Sequence, residues 1–284
     1  MKYQIKIAQK AGFCPGVKNA FLKSYKIAEN HKNTCIYGEM VHNNFALIPI
    51  YQKGIVLKKT LDEIINDKNI ENVIIRAHGI PPNEEELLKN NGKKIFDLTC
   101  PKVKKVQLLA KKLSDEGYTV IIFGKENHPE VLGIKGYCNE NTVVIKEFDD
   151  LKKTNIDINT KLALISQTTM NSIEFNKISD KLKNSYSNIS FFNTLCDFPI
   201  KIQDNSIEIA KEVDLMIVVG DKKSANTQSL FDKLTSVKKT IFVETENDII
   251  IEEIRSFQKI GLTGGTSTSQ LQIDSIKKYL EKNL

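Results

Sequence analysis

The sequence predicts an α/β protein made of three small domains, each with its own parallel sheet. Two observations carry this prediction. Short apolar runs rich in β-branched residues alternate with longer amphipathic stretches along all 284 residues, which is typical of βαβ units. A short cysteine motif also recurs at domain-sized intervals and divides the chain into three blocks. The strongest apolar runs, such as LMIVV at 215–219, favour strands that are covered on both faces.

The elements follow in order from this alternation. Strands are predicted over residues 3–8, 34–38, 72–76, 94–97, 118–124, 142–145, 161–166, 213–220, 239–244 and 259–263. Helices are predicted over residues 17–30, 83–90, 103–116, 172–185, 201–211, 225–235 and 269–280. The first strand precedes the first cysteine and has no helix of its own. We therefore expect it to complete the sheet of the last block.

The recurring motif places a cysteine at the start of a helix. FCPGVK at 13–18 resembles TCPKVK at 99–104, and LCDFPIK at 195–201 is a looser third copy. The predicted domains are therefore residues 15–98, residues 99–195, and residues 196–284 together with 1–14. Repeats of this length are whole domains and not the units of a solenoid.

Three of the five cysteines share this motif, namely Cys14, Cys100 and Cys196. A helix N-terminus lowers the pKa of a thiol and favours the thiolate. Three thiolates, one from each domain, suit an iron–sulfur cluster that keeps one iron open for a substrate. The alternative, that they are buried small side chains, stays open at this point. Cys35 and Cys138 lack the motif and are interpreted as structural.

Three histidines lie in short strings that follow predicted strands. His42 lies in GEMVHN, His78 in RAHGIPP and His128 in GKENHPE. Sites in parallel α/β sheets lie off the carboxyl ends of strands, where imidazoles bind phosphate or relay protons. Glu130, two residues after His128, is the sharpest acid/base candidate. The alternatives are hydrogen-bonded structural histidines and an exposed carboxylate at a helix start.

Three loops offer hydroxyl and amide groups at predicted helix starts. They are SQTT at 166–169, SANT at 224–227 and GGTSTS at 264–269. Such helix ends bind anions, although ordinary N-caps are the alternative for each one. Neither a Walker motif nor G-x-G-x-x-G occurs, so ATP and NAD are not indicated. Three such loops together with histidines suit a diphosphate.

Composition excludes several other classes. The net charge of +6 is mild and spread along the chain, and no basic stripe with interleaved aromatic residues indicates nucleic-acid binding. The apolar runs are far shorter than the roughly 20 residues of a membrane span. The N-terminus MKYQIKIAQK does not resemble a signal peptide. We therefore expect a cytoplasmic protein whose cysteines are thiols.

In combination, the short sequence strings of this chain resemble one family. The strings are GFCxGV, VHN, AHG, TCP, HPE, QTT and TST, together with the TxC at 194–196 and the SxN at 224–226. That family is the LytB (IspH) family of 4-hydroxy-3-methylbut-2-enyl diphosphate reductases, which end the methylerythritol phosphate route to isoprenoids. The resemblance spans residues 12–268. It implies three α/β domains in a pseudo-threefold arrangement around a central 4Fe-4S cluster. The motif cysteines are its implied ligands, and one iron stays open.

The resemblance also implies the reaction and the roles of the site residues. The reaction is a reductive dehydroxylation that yields isopentenyl and dimethylallyl diphosphate. Glu130, with His128 and Thr168 beside it, is implied to supply protons. The implied substrate-binding residues are His42, His78, His128, Thr168, Ser224, Ala225, Asn226 and Ser267. Electrons are expected from ferredoxin or flavodoxin, because no dinucleotide motif is present.

The sequence departs from the family pattern at three places. Ala225 stands where many members have serine, so we expect altered diphosphate affinity. The segment 197–203 and Leu98 also differ, with expected effects on secondary contacts and packing. One alternative function is that of another three-cysteine cluster enzyme, such as a quinolinate-synthase-like dehydratase. A metal-binding or RNA-associated protein is a second, and it predicts steeply salt-dependent nucleic-acid affinity.

Overall fold

The chain folds into three parallel sheets of four strands each. The structure is a computed structural model that describes residues 3–41, 43–154 and 156–284, without the side chain of Asn44. Its strands are β1 (Gln4–Ile7), β2 (Thr34–Tyr37), β3 (Val56–Lys58), β4 (Asn72–Ile75), β5 (Lys94–Asp97), β6 (Thr119–Phe123), β7 (Val143–Ile145), β8 (Leu162–Ser166), β9 (Ile189–Phe191), β10 (Leu215–Val219), β11 (Thr240–Val243) and β12 (Lys259–Gly264).

Helices follow most of these strands. They are α1 (Pro15–Asn30), α2 (Asn44–Tyr51), α3 (Leu61–Ile65), α4 (Pro82–Asn90), α5 (Pro101–Asp115), α6 (Pro129–Lys135), α7 (Ser172–Ser185), α8 (Phe198–Glu212), α9 (Ala225–Thr235), α10 (Ile251–Ile254) and α11 (Gln270–Asn283). Short 3-10 helices lie at Phe148–Lys153 and Glu246–Asp248. The α/β class with three parallel sheets is confirmed. In the part of the chain that the structure describes, no helix is long and apolar enough to cross a bilayer.

The three sheets share one topology. Their strand orders are β3-β2-β4-β5, β7-β6-β8-β9 and β11-β10-β12-β1, and every strand pair is parallel. In each sheet the chain runs from an inner strand to the outer neighbour and then returns on the other side. β1 pairs with β12, so the prediction that the first strand joins the last sheet is confirmed.

Burial explains why these segments form strands and helices. The strands β6, β8 and β10 are mostly apolar and have helices packed on both sides, as their continuous apolar runs predicted. The helices bury one stripe each. In α11 that stripe is Ile273, Ile276 and Leu280, at the spacing of one helix face.

The elements divide into two compact units. The first unit consists of Met1–Asn30, Glu39–Ile55 and Asp197–Leu284, and it contains the sheet that ends with β1. The second consists of His31–Gly38 and Val56–Cys196, and it contains the other two sheets. The boundaries of the three expected domains stay a prediction.

Several short elements were not predicted. The edge strands β3 and β9 have three residues each and mix apolar with polar side chains, whereas the equally short β7 was predicted from its run of apolar, β-branched residues. The helix α2 is apolar all round and contains Pro49, so it shows no helical period. The helix α6 has seven residues, among them a proline and a glycine. This last omission matters, because α6 carries Glu130.

Candidate active site

The candidate side chains follow equivalent strands in the three sheets. Within each sheet, the loops after the two inner strands lie at a topological switch point, where ligands bind in open α/β sheets. The segments after β2, β6 and β10 carry His42, His128 and Ser224, and Glu130 and Asn226 lie in the first turns of the helices that follow, α6 and α9. The loops after β4, β8 and β12 carry His78, Thr168 and Ser267. Cys100, Cys196 and Cys14 each follow the outer strand beside the second inner strand, namely β5, β9 and β1. His42 itself lies outside the described residues.

Glu130 is a buried carboxyl group in the second unit. It lies in the first turn of α6 and is only 2% exposed. Its Oε1 accepts a hydrogen bond from the backbone N–H of Thr168 at 2.6 Å, and its Oε2 accepts one from the Thr168 hydroxyl at 3.0 Å. Burial raises the pKa of Glu130 to about 7, against the lowering effect of these two hydrogen bonds. A carboxyl with such a pKa exchanges protons at neutral pH.

Two imidazoles belong to the same cluster. His128 caps α6, and its Nδ1 accepts a hydrogen bond from the backbone N–H of Glu130 at 3.1 Å. In the neutral ring this places the proton on Nε2. The His78 ring lies edge-on to the His128 ring, with 5.2 Å between the ring centroids. The second unit thus brings together four of the predicted residues through direct contacts, namely Glu130, Thr168, His128 and His78.

Backbone hydrogen bonds connect all three predicted cysteines to loops that carry candidate residues. The N–H of Cys14 donates to the carbonyl of Thr266, beside Ser267, at 3.4 Å. The N–H of Cys100 donates to the carbonyl of Ala77, beside His78, at 2.9 Å. The N–H of Cys196 donates to the carbonyl of Thr168 at 2.6 Å. Each of these cysteines is therefore hydrogen-bonded to a segment that carries a candidate site residue.

A hydroxyl-rich cluster forms separately in the first unit. Ser224 caps α9, and its Oγ lies 3.0 Å from the Oγ of Ser267. The Asn226 amide donates to the Thr266 hydroxyl at 3.2 Å. Both serines are more than nine-tenths buried, whereas Ala225 at the start of α9 is exposed. Hydroxyls and N–H groups at a helix N-terminus suit phosphate oxygens, which these predicted residues were expected to bind.

Asn43 organises this cluster, a role that the sequence did not reveal. Its side chain donates to the carbonyl of Ser267 and to Oε1 of Gln272, each at 3.0 Å, and its Oδ1 caps α2. The residue is 1% exposed. The only sequence signal was its place in the VHN string, next to His42.

The sulfur chemistry separates the two groups of cysteines. No disulfide forms among the cysteines of the described chain. Burial raises the pKa of Cys35 to about 12 and also raises the pKa of Cys138, so both stay protonated. Cys14, Cys100 and Cys196 are partly exposed, as Cys138 also is, and the Sγ of Cys14 accepts a hydrogen bond from the N–H of Val17 at 3.4 Å. An N–H bond of this kind stabilises a thiolate.

Thiolates are the side-chain ligands that iron–sulfur clusters use, so the chemistry of these three cysteines is compatible with such a cluster. Among the described residues, no three His, Cys, Asp or Glu side chains form a metal-ion site. A single ion requires its ligands to converge on one atom. The thiolates of a cluster bind different irons, so they need not touch one another.

Comparisons with known proteins agree over nearly the full length. A family model described as LytB protein matches residues 5–281. The 4-hydroxy-3-methylbut-2-enyl diphosphate reductase of Clostridioides difficile is 35% identical over 278 residues, covering 98% of this chain and 99% of that protein. The protein of the same name from Campylobacter hominis is 38% identical, covering 98% of each.

Solved structures show the same similarity. One is that of (E)-4-hydroxy-3-methyl-but-2-enyl diphosphate reductase, described as the terminal enzyme of the non-mevalonate pathway. It matches with a TM-score of 0.81 and 30% identity over 99% of both chains. The E-1-hydroxy-2-methyl-but-2-enyl-4-diphosphate reductase of Plasmodium falciparum matches with a TM-score of 0.83 and 25% identity, over 98% of this chain and 88% of that one.

Proposed function

Since this chain belongs to the LytB protein family, we propose that it reduces (E)-4-hydroxy-3-methylbut-2-enyl diphosphate to isopentenyl and dimethylallyl diphosphate. This is the last step of the methylerythritol phosphate, or non-mevalonate, route to isoprenoids. The allylic C–O bond breaks, the substrate takes up two electrons and two protons, and the oxygen leaves as water.

The buried carboxyl of Glu130 is the observation that carries this proposal. Hydroxide is a poor leaving group, so the reaction needs a proton donor at neutral pH. Burial raises the pKa of Glu130 to about 7, and the two Thr168 hydrogen bonds hold its carboxyl in one orientation. His128, whose Nδ1 is occupied by the N–H of Glu130, presents its Nε2–H as a further donor.

The remaining candidates bind the substrate. In the first unit, Ser224, Asn226 and Ser267 donate to phosphate oxygens, and the N–H of Ala225 donates where the family resemblance leads us to expect a serine hydroxyl. In the second unit, His78, His128 and Thr168 contact the substrate. His42 is assigned to the diphosphate by the family resemblance alone.

The cofactor that we propose is a 4Fe-4S cluster on Cys14, Cys100 and Cys196. When bound, it supplies the electrons and an open iron that acts as a Lewis acid. The Cys14 thiolate is stabilised by the Val17 N–H. The external electron donor is a small acidic carrier, ferredoxin or flavodoxin. Thiolate ligands require reducing conditions, so the proposed compartment is the cytoplasm.

The first test is the content of iron and acid-labile sulfide after anaerobic reconstitution. We expect about four of each per chain, as in a cubane cluster. Cys100→Ser should lose most of this content. Cys138→Ser, which removes a half-buried thiol outside the ligand set, is the matched control and should retain it. Wild-type-like iron in Cys100→Ser would remove that residue from the ligand set.

Substrate conversion is the second test. The reconstituted protein, reduced by a dithionite-treated viologen, should convert the hydroxymethylbutenyl diphosphate into both products. A protein with a full cluster but no conversion would contradict the proposed reaction. The quinolinate-synthase-like alternative is not favoured, because the matched relatives carry the reductase name over nearly their full length.

A further inference from the structure

Gln107 is a buried amide that has no hydrogen-bond partner among the described residues. It lies in α5 and is 1% exposed, and neither Nε2 nor Oε1 is bonded. The rest of this helix face is apolar, with Val103, Val106 and Ala110 buried beside it. A buried polar group without a partner lowers stability, and an apolar side chain of similar shape would not. Packing alone therefore does not explain a glutamine here.

The amide lies where segments with site residues meet in the second unit. Its Nε2 is only 2.4 Å from the position that a Cβ would take at Gly79, the residue after His78. It is 3.0 Å from the corresponding position at Gly133, which lies in α6 less than one turn after Glu130. Thr99, next to Cys100, also approaches within 3.2 Å of the Gly79 position.

The two glycines provide the space that this amide occupies. A side chain at Gly79 would overlap Nε2, and one at Gly133 would press on it. Glycine inside a helix lowers helix stability, so Gly133 also needs a packing reason. The close approach of Gln107 supplies that reason. The amide and both glycines thus form one contact that joins α5, α6 and the His78 loop.

We propose that Gln107 is a positioning residue for the proton-donating side chains. Its amide sets the separation between α6 and the His78 loop, and so the orientation of Glu130, His128 and His78 toward the substrate. It acts through Gly79 and Gly133. The inference rests on the proposed reductase function.

Gln107→Met tests this proposal, because methionine has a similar length but ends in a rounder thioether and methyl group, in place of the flat amide that lies between the two glycines. We expect an equal or higher melting temperature, because the unpaired amide is removed. We also expect kcat/KM to fall roughly 10-fold or more, since small misplacements near a reacting group have large effects. The ratio of isopentenyl to dimethylallyl diphosphate should change as well, because it reports which end of the allylic unit receives the proton.

Two further variants separate positioning from general packing. Gly133→Ala should reproduce the kinetic defect, and the double variant should be no worse than the more affected single variant, since both act on one contact. Ser24→Ala is the matched control. Ser24 in α1 is also fully buried, with a hydroxyl that has no partner in the described chain, so its removal should leave kcat/KM and the product ratio unchanged.

The outcomes distinguish the inference from the proposed function. Unchanged kcat/KM and product ratio in a well-folded Gln107→Met protein would overturn the inference. A lower melting temperature with an unchanged product ratio would also overturn it, because Gln107 would then have only a structural role. If the Gln107→Met protein does not fold, the kcat/KM and the product ratio of Gly133→Ala decide the question instead. If the wild type itself converts no substrate, the proposed function fails. The inference is then decided by the NMR signals of the His78 and His128 rings, which must shift in Gln107→Met.

Discussion

Replacing Glu130 by glutamine is expected to raise stability at neutral and alkaline pH and to lower turnover strongly in the same protein. Burial raises the pKa of Glu130 from 4.5 to about 7. Below pH 4.5 the carboxyl is protonated in both the folded and the unfolded chain, so it has no electrostatic effect. Between these two pKa values the folded state holds the proton more tightly. The wild type therefore loses stability as the pH rises through this window.

The magnitude follows from the shift. A difference of one pKa unit corresponds to 1.36 kcal/mol, so the full effect is about 3 kcal/mol at pH 8, of which about 2.5 kcal/mol develops between pH 5 and pH 8. Glutamine does not titrate and escapes this loss. It gives up one of the two Thr168 hydrogen bonds, which lowers the gain by roughly 1 kcal/mol at every pH.

The assay is urea denaturation of both proteins at pH 5 and pH 8. Glu130→Gln should gain about 2–3 kcal/mol relative to the wild type between the two pH values. Glu126→Gln is the matched control, because Glu126 is an exposed carboxylate on the loop before α6 with a surface ion pair to Lys135. Its effect should not depend strongly on pH.

Turnover provides the second arm of this test. Glu130→Gln should retain its iron and sulfide and lose on the order of 10²–10⁴-fold in kcat, as expected for a missing general acid. Wild-type turnover should fall as the pH rises through about 7, where Glu130 loses its proton. Normal turnover in the variant, or a stability difference that is the same at both pH values, would refute the reasoning.

Two further predictions concern the contacts around this cluster. Thr168→Val removes the hydroxyl donor that lowers the pKa of Glu130, so the fall in turnover at alkaline pH should move to higher pH. Thr168→Ser keeps the hydroxyl and should leave the pH profile unchanged. An unchanged pH profile in Thr168→Val would contradict the hydrogen bond between Thr168 and Glu130. Gly38→Ala places a Cβ on the Arg76 guanidinium at a φ of +71°, whereas Gly92→Ala has open space at a φ of +74°. Denaturation should show that the free energy of unfolding falls by roughly 1–2 kcal/mol in Gly92→Ala and by more in Gly38→Ala. Only Gly38→Ala should lower turnover. Equal losses of stability in the two variants would exclude the Arg76 contact.

Much of the fold was predictable because its signals are local. Apolar periodicity extends over a few residues, and it located all the longer strands and helices. The start of α5 was also visible in the sequence, since Pro101 follows Cys100 at the first helical position. The edge strands β3 and β9 were missed, because their three residues mix apolar with polar side chains and lack the β-branched run that revealed the equally short β7.

The candidate site was predictable as a set of residues but not as an environment. The strings that contain His78, Glu130 and Thr168 could be read from the chain. The sequence left Glu130 equally consistent with an exposed helix-start carboxylate. The structure decides this, because its two hydrogen bonds come from a residue 38 positions away.

By itself, then, the sequence determined the α/β class, the repeat of three cysteine motifs and the identity of the candidate residues. These depend on side-chain chemistry and on spacing within single elements. Tertiary structure alone decided that Glu130 is buried, that Asn43 bonds to Ser267, and that Gln107 lies against two glycines. Burial and close contact depend on segments that are far apart in the chain. A local sequence pattern does not show which distant segments pack together.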